Sequence, residues 1–468
     1  MRSNPTEEGH TPSGLANSGV SGTGSRIYPT GARAGFIILS SLTLPVLLLL
    51  QAWKTRDWRY KHWLLTAFVT VYGSTIAIYY DPFGEGADGV RHLLLVYDHY
   101  QGLGFSQFLL ELWHTFTLQI STDPGIRDPY KHIVSYLVGG VLGMPWLFFT
   151  VVAFVYGYFF TGSLLEIFRN FRWSRLNYVV LGFAAILLLV KNIEGVNTVR
   201  TWTGLWILVY ACLRYYDTRR MRYALLMLVP PFVHFGYFIM VLPAIAVLVL
   251  GNRPKLYAVL FVASSFTTFF NPGDVVDAVS VVERGASSVQ GYYIEEMQDS
   301  EEIRRAAAAL DQRWYNTFRF LGVQKWALNL LVYTLLAAGV YFVCMNYRQK
   351  SLFSIGLLTL TLSNSTWFLF AVSNRSWLIG CVFILAAFLM ARLHPETGPR
   401  IQRLRVPYYK WGLHLSLLLF VPYFLYNLST LLDFPSVYLL AAPFVVWLEP
   451  DMNASIKYLL QWLLGLRG

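Results

Sequence analysis

Arg200, His234 and Arg375 stand at the ends or in the middle of apolar runs. An ionisable side chain there is costly, and it marks a candidate site by default. Arg200 opens the run TWTGLWILVYACL. His234 lies within YALLMLVPPFVHFGYFIMVLPAIAVLVL, a 28-residue run interrupted by Pro230 and Pro231. Arg375 sits in Ser373-Asn374-Arg375-Ser376, a polar stretch between two apolar runs that predicts a short turn. A lone Arg can instead anchor at lipid headgroups, and a lone His is more often a packing residue. The grouping is what points to chemistry. Guanidinium forks grip diphosphate oxygens through charge-assisted bonds. They also stabilise a diphosphate leaving group as its charge develops. A carboxylate or imidazole can take a proton from an attacking hydroxyl. Carboxylates of the same region are Asp81, Glu85 and Asp88, followed by Arg91 and Tyr97.

These residues need elements to hold them, and composition says which kind. The 468 residues are 55% hydrophobic, 17% aromatic and only 13% charged, with a mean hydropathy of +0.46. Continuous apolar runs of about 17–25 residues recur, the length of a membrane-crossing helix. The predicted class is therefore all-α, a polytopic integral membrane protein with roughly ten to fourteen spans. Residues 1–33 are rich in Gly, Ser, Thr and Pro and predict disorder. Residues 34–468 form the membrane domain. Cys212, Cys344 and Cys381 all lie in apolar runs, which leaves no disulfide frame. The net charge of +11 is spread over short loops, where it orients spans; nucleic acid is not an expected partner.

By the positive-inside rule, two long acidic loops, 81–131 and 271–325, face out. The second has nine acidic and six basic residues, and its stretch 300–320 predicts a helix. Within the first, Phe105, Phe108, Leu109, Leu112, Trp113 and Phe116 recur at helical spacing. They predict a helix lying in the interface or a lid packed on the spans. The run 223–250 is flanked by basic loops on both sides. It cannot cross once, and at ~1.5 Å per residue it is too short to cross twice. Two short helices meeting at Pro230-Pro231 are expected instead, with His234 near an outward tip. Spans are expected at 34–53, 63–80, 136–160, 178–190, 256–270, 326–345, 352–372, 377–391 and 411–428, with another apolar stretch at 431–448.

Asp88-Gly-Val-Arg91 with Tyr97, then Arg200 opening a span, then a basic turn and PPFVHFGYF, resembles the EpsG/Wzy-type polysaccharide polymerase group. The resemblance covers roughly residues 81–250, with Arg375 more loosely. It implies a bacterial inner-membrane protein that joins polyprenyl-diphosphate-linked oligosaccharides outside that membrane. Arg200, His234 and Asp88 would then be near the chemistry, and Arg91, Arg375 and Tyr97 would handle diphosphate or glycan. Membrane lipids and other polysaccharide assembly or export proteins are the partners implied. No Gly-rich nucleotide loop is present, and His92, His99, His114 and His132 lack a metal spacing, so no cofactor and no metal are expected. Two alternatives stay open. One is a transferase that adds single sugars from a polyprenyl-phosphate donor. The other is a glycolipid transporter or flippase, which should show internal symmetry.

Overall fold

A backbone shielded from water must satisfy its own hydrogen bonds, and an apolar chain does so most simply as helix. The computed structural model describes residues 31–76, 88–117, 128–171, 174, 176–267, 322–367, 370–404, 406–432 and 464. Among them every regular element is helical. In chain order they are α1 (Gly31–Thr43), α2 (Val46–Lys54), α3 (Trp58–Ile76), α4 (Asp88–Leu95), α5 (Phe105–Phe116), α6 (Pro129–Ser135), α7 (Phe148–Ile167), α8 (Tyr178–Val190) and α9 (Thr201–Thr218). Then come α10 (Met221–Leu226), α11 (Pro230–Val233), α12 (Tyr237–Met240), α13 (Leu242–Leu250) and α14 (Pro254–Ser264). The last are α15 (Val323–Ala337), α16 (Tyr347–Ser365), α17 (Phe370–Leu393), α18 (Thr397–Gln402) and α19 (Pro407–Leu432).

Among the described residues, four stretches are long and apolar enough to cross a membrane: Pro145–Ile167, Tyr178–Thr198, Val372–Leu393 and Pro407–Leu432. The other expected spans appear as shorter or more polar helices. The run 34–53 is divided between α1 and α2, where Pro45 follows the end of α1 and removes a backbone donor. The expected span 136–160 starts later, because residues 136–141 form a π-turn and a 3-10 turn at Pro145–Leu147 precedes α7. α16 is 19 residues long but carries Arg348, Lys350 and many Ser and Thr. α1 begins inside the stretch expected to be disordered. Arg33 explains this, since its Nη1 donates to Asp57 at 2.5 Å and its guanidinium stands 4.9 Å from the Tyr60 ring. Residues 1–30, the outer-loop helix expected at 300–320 and, of the expected apolar stretch, 433–448 lie outside the described residues.

Close helix contacts are made through small residues, as lipid-embedded packing favours. α3 meets α7 where a Cβ on Gly73 would stand 2.2 Å from Ala153 Cβ and 2.3 Å from Phe149 O. Among the described elements, α16 and α17 make the most extensive contact. Gly356 and Gly380 let them approach, each leaving space that Ile384 and Leu360 fill. The window of α17 long enough to span is wholly buried, so this helix is the centre of the bundle.

The polar stretch 373–376 is not a turn. It lies inside α17, with Ser373 2% and Ser376 0% exposed. Ser363 Oγ donates to Ser373 O at 2.7 Å and Ser373 Oγ to Ser363 O at 2.9 Å. Those hydroxyls therefore join α16 to α17 rather than facing solvent.

Candidate functional site

The broken apolar run is present. α10 ends at Leu226, turns follow, and Pro230 and Pro231 start the single turn of α11. His234 is extended (φ −155°, ψ 122°), and Gly236 caps α12. The break is stitched to its surroundings. Tyr237 Oη donates to Thr201 O at 2.6 Å, which fixes α12 on the first turn of α9. Phe232 meets Phe116 of α5, ring centroids 6.0 Å apart.

Asp128 organises this region. It is the residue before α6, with Pro129 at the first helical position. An Asp placed there ordinarily caps its own helix, but this side chain makes no cap bond. Its carboxylate turns to three other donors. Arg200 Nη1 donates to Oδ2. His234 Nδ1 lies 3.3 Å and the Phe235 N–H 2.9 Å from Oδ1. Asp128 is 2% and His234 5% exposed. Burial pushes the Asp128 carboxyl up, but the His234 hydrogen bond and the Arg200 guanidinium outweigh it and hold the group below the usual carboxylate range.

The tautomer of His234 follows from its partner. An ionised carboxylate accepts only, so Nδ1 carries the proton and Nε2 presents its lone pair. Nε2 is buried with no hydrogen-bond partner. It faces Gly236, where an added Cβ would stand 3.3 Å away. A neutral imidazole oriented by a carboxylate, with its far nitrogen uncommitted, has the arrangement of a general base.

Arg200 stands at the N-terminus of α9 behind Val199, a buried β-branched residue at φ 54°. Such a residue rarely adopts the left-handed region, so the backbone entering α9 is strained at this point. Arg375, in the second turn of α17, is near enough for its charge to act on both His234 and Tyr237. The structure thus gathers Arg200, His234 and Arg375. Asp88 and Arg91 lie on α4, whose side chains at these positions are outside the described ones. The backbone of that turn packs near the 193–198 segment that leads to Arg200, as the 3.5 Å between a Cβ on Gly89 and Asn197 O shows. Tyr97 is on the π-turn Val96–Tyr100, 38% exposed. Asp81 and Glu85 lie outside the described residues.

In the sequence Asp128 does not stand out as a site residue, being one of several acids in the loop 81–131. Its signal was Asp-Pro at a helix start, which reads as a cap. Lys191 was also missed; its Nζ stands 4.1 Å from the Trp202 ring at the same end of α9. Two of the loop histidines have structural partners. His132 bridges Tyr100 Oη (2.6 Å) and Phe108 O (3.2 Å), and His99 pairs with Glu111 at 3.0 Å. No group of three metal-ligating side chains gathers among the described residues. No protein family, curated protein or solved structure matches this chain.

Proposed function

We propose that this chain is a membrane glycosyltransferase that joins polyprenyl-diphosphate-linked oligosaccharides into a polysaccharide. The observation that carries the reading is the Asp128 carboxylate shared between Arg200 and His234 Nδ1, with His234 Nε2 buried and uncommitted. In the transfer, a sugar hydroxyl oxygen attacks the anomeric carbon of the donor. Its proton goes to His234 Nε2, and the anomeric C–O bond breaks. The electron pair leaves with the lipid diphosphate. Arg200 is oriented by Asp128 through one Nη, and a guanidinium has five donors in a planar fork. It and Arg375 supply the positive charge a leaving diphosphate requires. Among the described residues, four helices are long and apolar enough to cross a membrane, which suits a lipid-linked donor.

The broken run with short helices around His234 also suits a glycolipid transporter, since transporter sites are built on discontinuous helices. One experiment separates the readings. Lipid-linked glycans are analysed in cells carrying Arg200→Lys, His234→Ala or the parent chain at matched expression. The polymerase reading expects single lipid-linked repeats to accumulate without long polymer, on the side of the membrane where they are normally joined. Repeats trapped on the opposite side would favour transport. Loss of the single repeat itself would favour a sugar transferase, and normal polymer from both variants would sink the assignment.

A further inference from the structure

A second polar centre occupies the other end of α9. At ~1.5 Å per residue the helix carries the chain about 27 Å from Arg200 to its C-terminus. There Glu166 of α7 is 4% exposed. It accepts from Arg214 Nη1 at 2.5 Å and from Arg348 Nη2 at 3.1 Å, and Arg169 Nη1 stands 3.8 Å away. Asp217 accepts from Arg169 at 3.2 Å and Arg348 at 2.9 Å. Arg219 closes the group. Its backbone is left-handed (φ 57°), and its guanidinium lies 4.2 Å from the Tyr347 ring and 5.5 Å from that of Tyr216. Four guanidiniums thus surround two carboxylates, a surplus of two positive charges.

A cavity of roughly 650 Å³ opens among them. Arg169, Arg219, Arg348 and Tyr216 line it together with both carboxylates, Glu166 and Asp217, so the lining itself carries one surplus positive charge, and Arg214 binds Glu166 from outside the lining. That volume falls within the ~300–1,000 Å³ of small-molecule sites, but the charged lining calls for a polar ligand. Donors in and around it are left over. Tyr216 is 5% exposed and its hydroxyl is buried without a hydrogen-bond partner; Arg214 Nε and Arg348 Nε are buried without one too. A latch that only joined α7, α9 and α16 would balance its charges and use its donors. This group does neither. We propose that the cavity binds a phosphate-bearing anion, whose several acceptor oxygens and negative charge match the surplus of donors and cations. Two sources share that chemistry: a soluble phosphate ester and an anionic lipid headgroup.

The test uses the full chain in phosphatidylcholine nanodiscs, with inorganic pyrophosphate as probe and the thermal unfolding midpoint as readout. The variant is Arg169→Gln with Arg219→Asn. It leaves both close partners of Glu166 in place, and Asn tolerates the left-handed backbone at position 219. Tyr216→Phe removes only the orphan hydroxyl. Pyrophosphate should raise the midpoint of the parent chain, more weakly at high salt. The double variant should need at least about tenfold more pyrophosphate for the same rise, and Tyr216→Phe a few-fold more, as loss of charge-assisted and single hydrogen bonds implies. If phosphatidylglycerol in the discs raises the parent midpoint, spares the double variant and is displaced by pyrophosphate, the phosphate belongs to a lipid. A response to pyrophosphate without one to phosphatidylglycerol assigns a soluble ester. A parent chain that neither probe stabilises beyond the double variant overturns the site and leaves a structural latch. The glycan analysis of Arg200 and His234 variants is unaffected by any of these outcomes.

Discussion

A carboxylate that is 2% exposed and meets both a guanidinium and an imidazole cannot be neutralised without stranding a charge. Asp128→Asn keeps the shape but leaves Arg200 unmatched and lets the His234 ring lose its orientation. Removing one partner of a buried pair costs about 3–5 kcal/mol, and because the Arg200 side chain is 24% exposed the low end applies. The expected result is a lower unfolding midpoint together with loss of polymer. An unchanged midpoint would show that the pair contributes nothing to the fold. The folded Asp128 value is depressed, so its contribution is fully present above the unfolded carboxyl value of ~3.9 and is lost as pH falls below that toward the folded value. Above about pH 5 Asp128 therefore stays ionised, and burial holds His234 below the ordinary imidazole value, so an acid limb of unit slope in kcat/KM falling below about pH 6.5 is assigned to His234. A limb centred above that value would remove His234 as the base. Gly236 offers a cleaner probe of Nε2. Its backbone is right-handed helical (φ −53°), so Ala is permitted and slightly favoured. The methyl would stand 3.3 Å from Nε2. The imidazole must give slightly to admit it, so Gly236→Ala should lower turnover by more than it lowers the midpoint, whereas full turnover would place the reacting hydroxyl elsewhere.

Helix ends and breaks were the most legible elements in the sequence. α8 runs over the expected 178–190 and α5 over the predicted 105–116; the run 223–250 breaks as expected, but into four short helices rather than two, with Pro230-Pro231 opening the turn α11 and the breaks falling at 227–229 and 234–236. The π-turns at 96–100 and 136–141 left no periodic trace, and 373–376 misled because buried Ser residues look like solvated ones in sequence. Local pattern cannot reveal which polar side chain finds a partner on another helix. Contacts between helices carry their own predictions. Gly73→Ala forces α3 from α7 because the nearest atoms include the backbone oxygen of Phe149, which cannot rotate aside. Overpacking of this kind costs about 1–3 kcal/mol, read as a lower unfolding midpoint; an unchanged midpoint would mean that α3 is not tightly docked. On α5, Phe108 is buried while Phe105 and Trp113 are 64% and 63% exposed. A helix with apolar residues on its exposed face suits the lipid interface. The three native cysteines are buried, so Trp113→Cys takes a nitroxide selectively. Power saturation should show more collision with oxygen than with a water-soluble nickel chelate. The reverse order would make α5 a solvated lid.

At the scale of the molecule, α9 joins the two polar centres, with Arg200 at one end and Arg219 at the other. Which end faces out is set by charge in the loops. Arg253 and Lys255 follow the broken run, and Arg219, Arg220 and Arg222 precede it, so that side should face the cytoplasm. The acids of the loops 81–131 and 271–325 then lie with Arg200 on the opposite side. Gly86→Cys and Ser288→Cys should react with an impermeant maleimide in cells whose outer barrier alone has been opened. Arg220→Cys, exposed beside the start of α10, should react only after the membrane itself is lysed. The loop charge difference makes this pattern the favoured one, since each translocated Lys or Arg opposes insertion in that sense. Labelling of Arg220→Cys before lysis, with Gly86→Cys protected, would invert the molecule. The Asp128 centre would then face the cytoplasm, and joining of lipid-linked sugars on the outer side could no longer be its work.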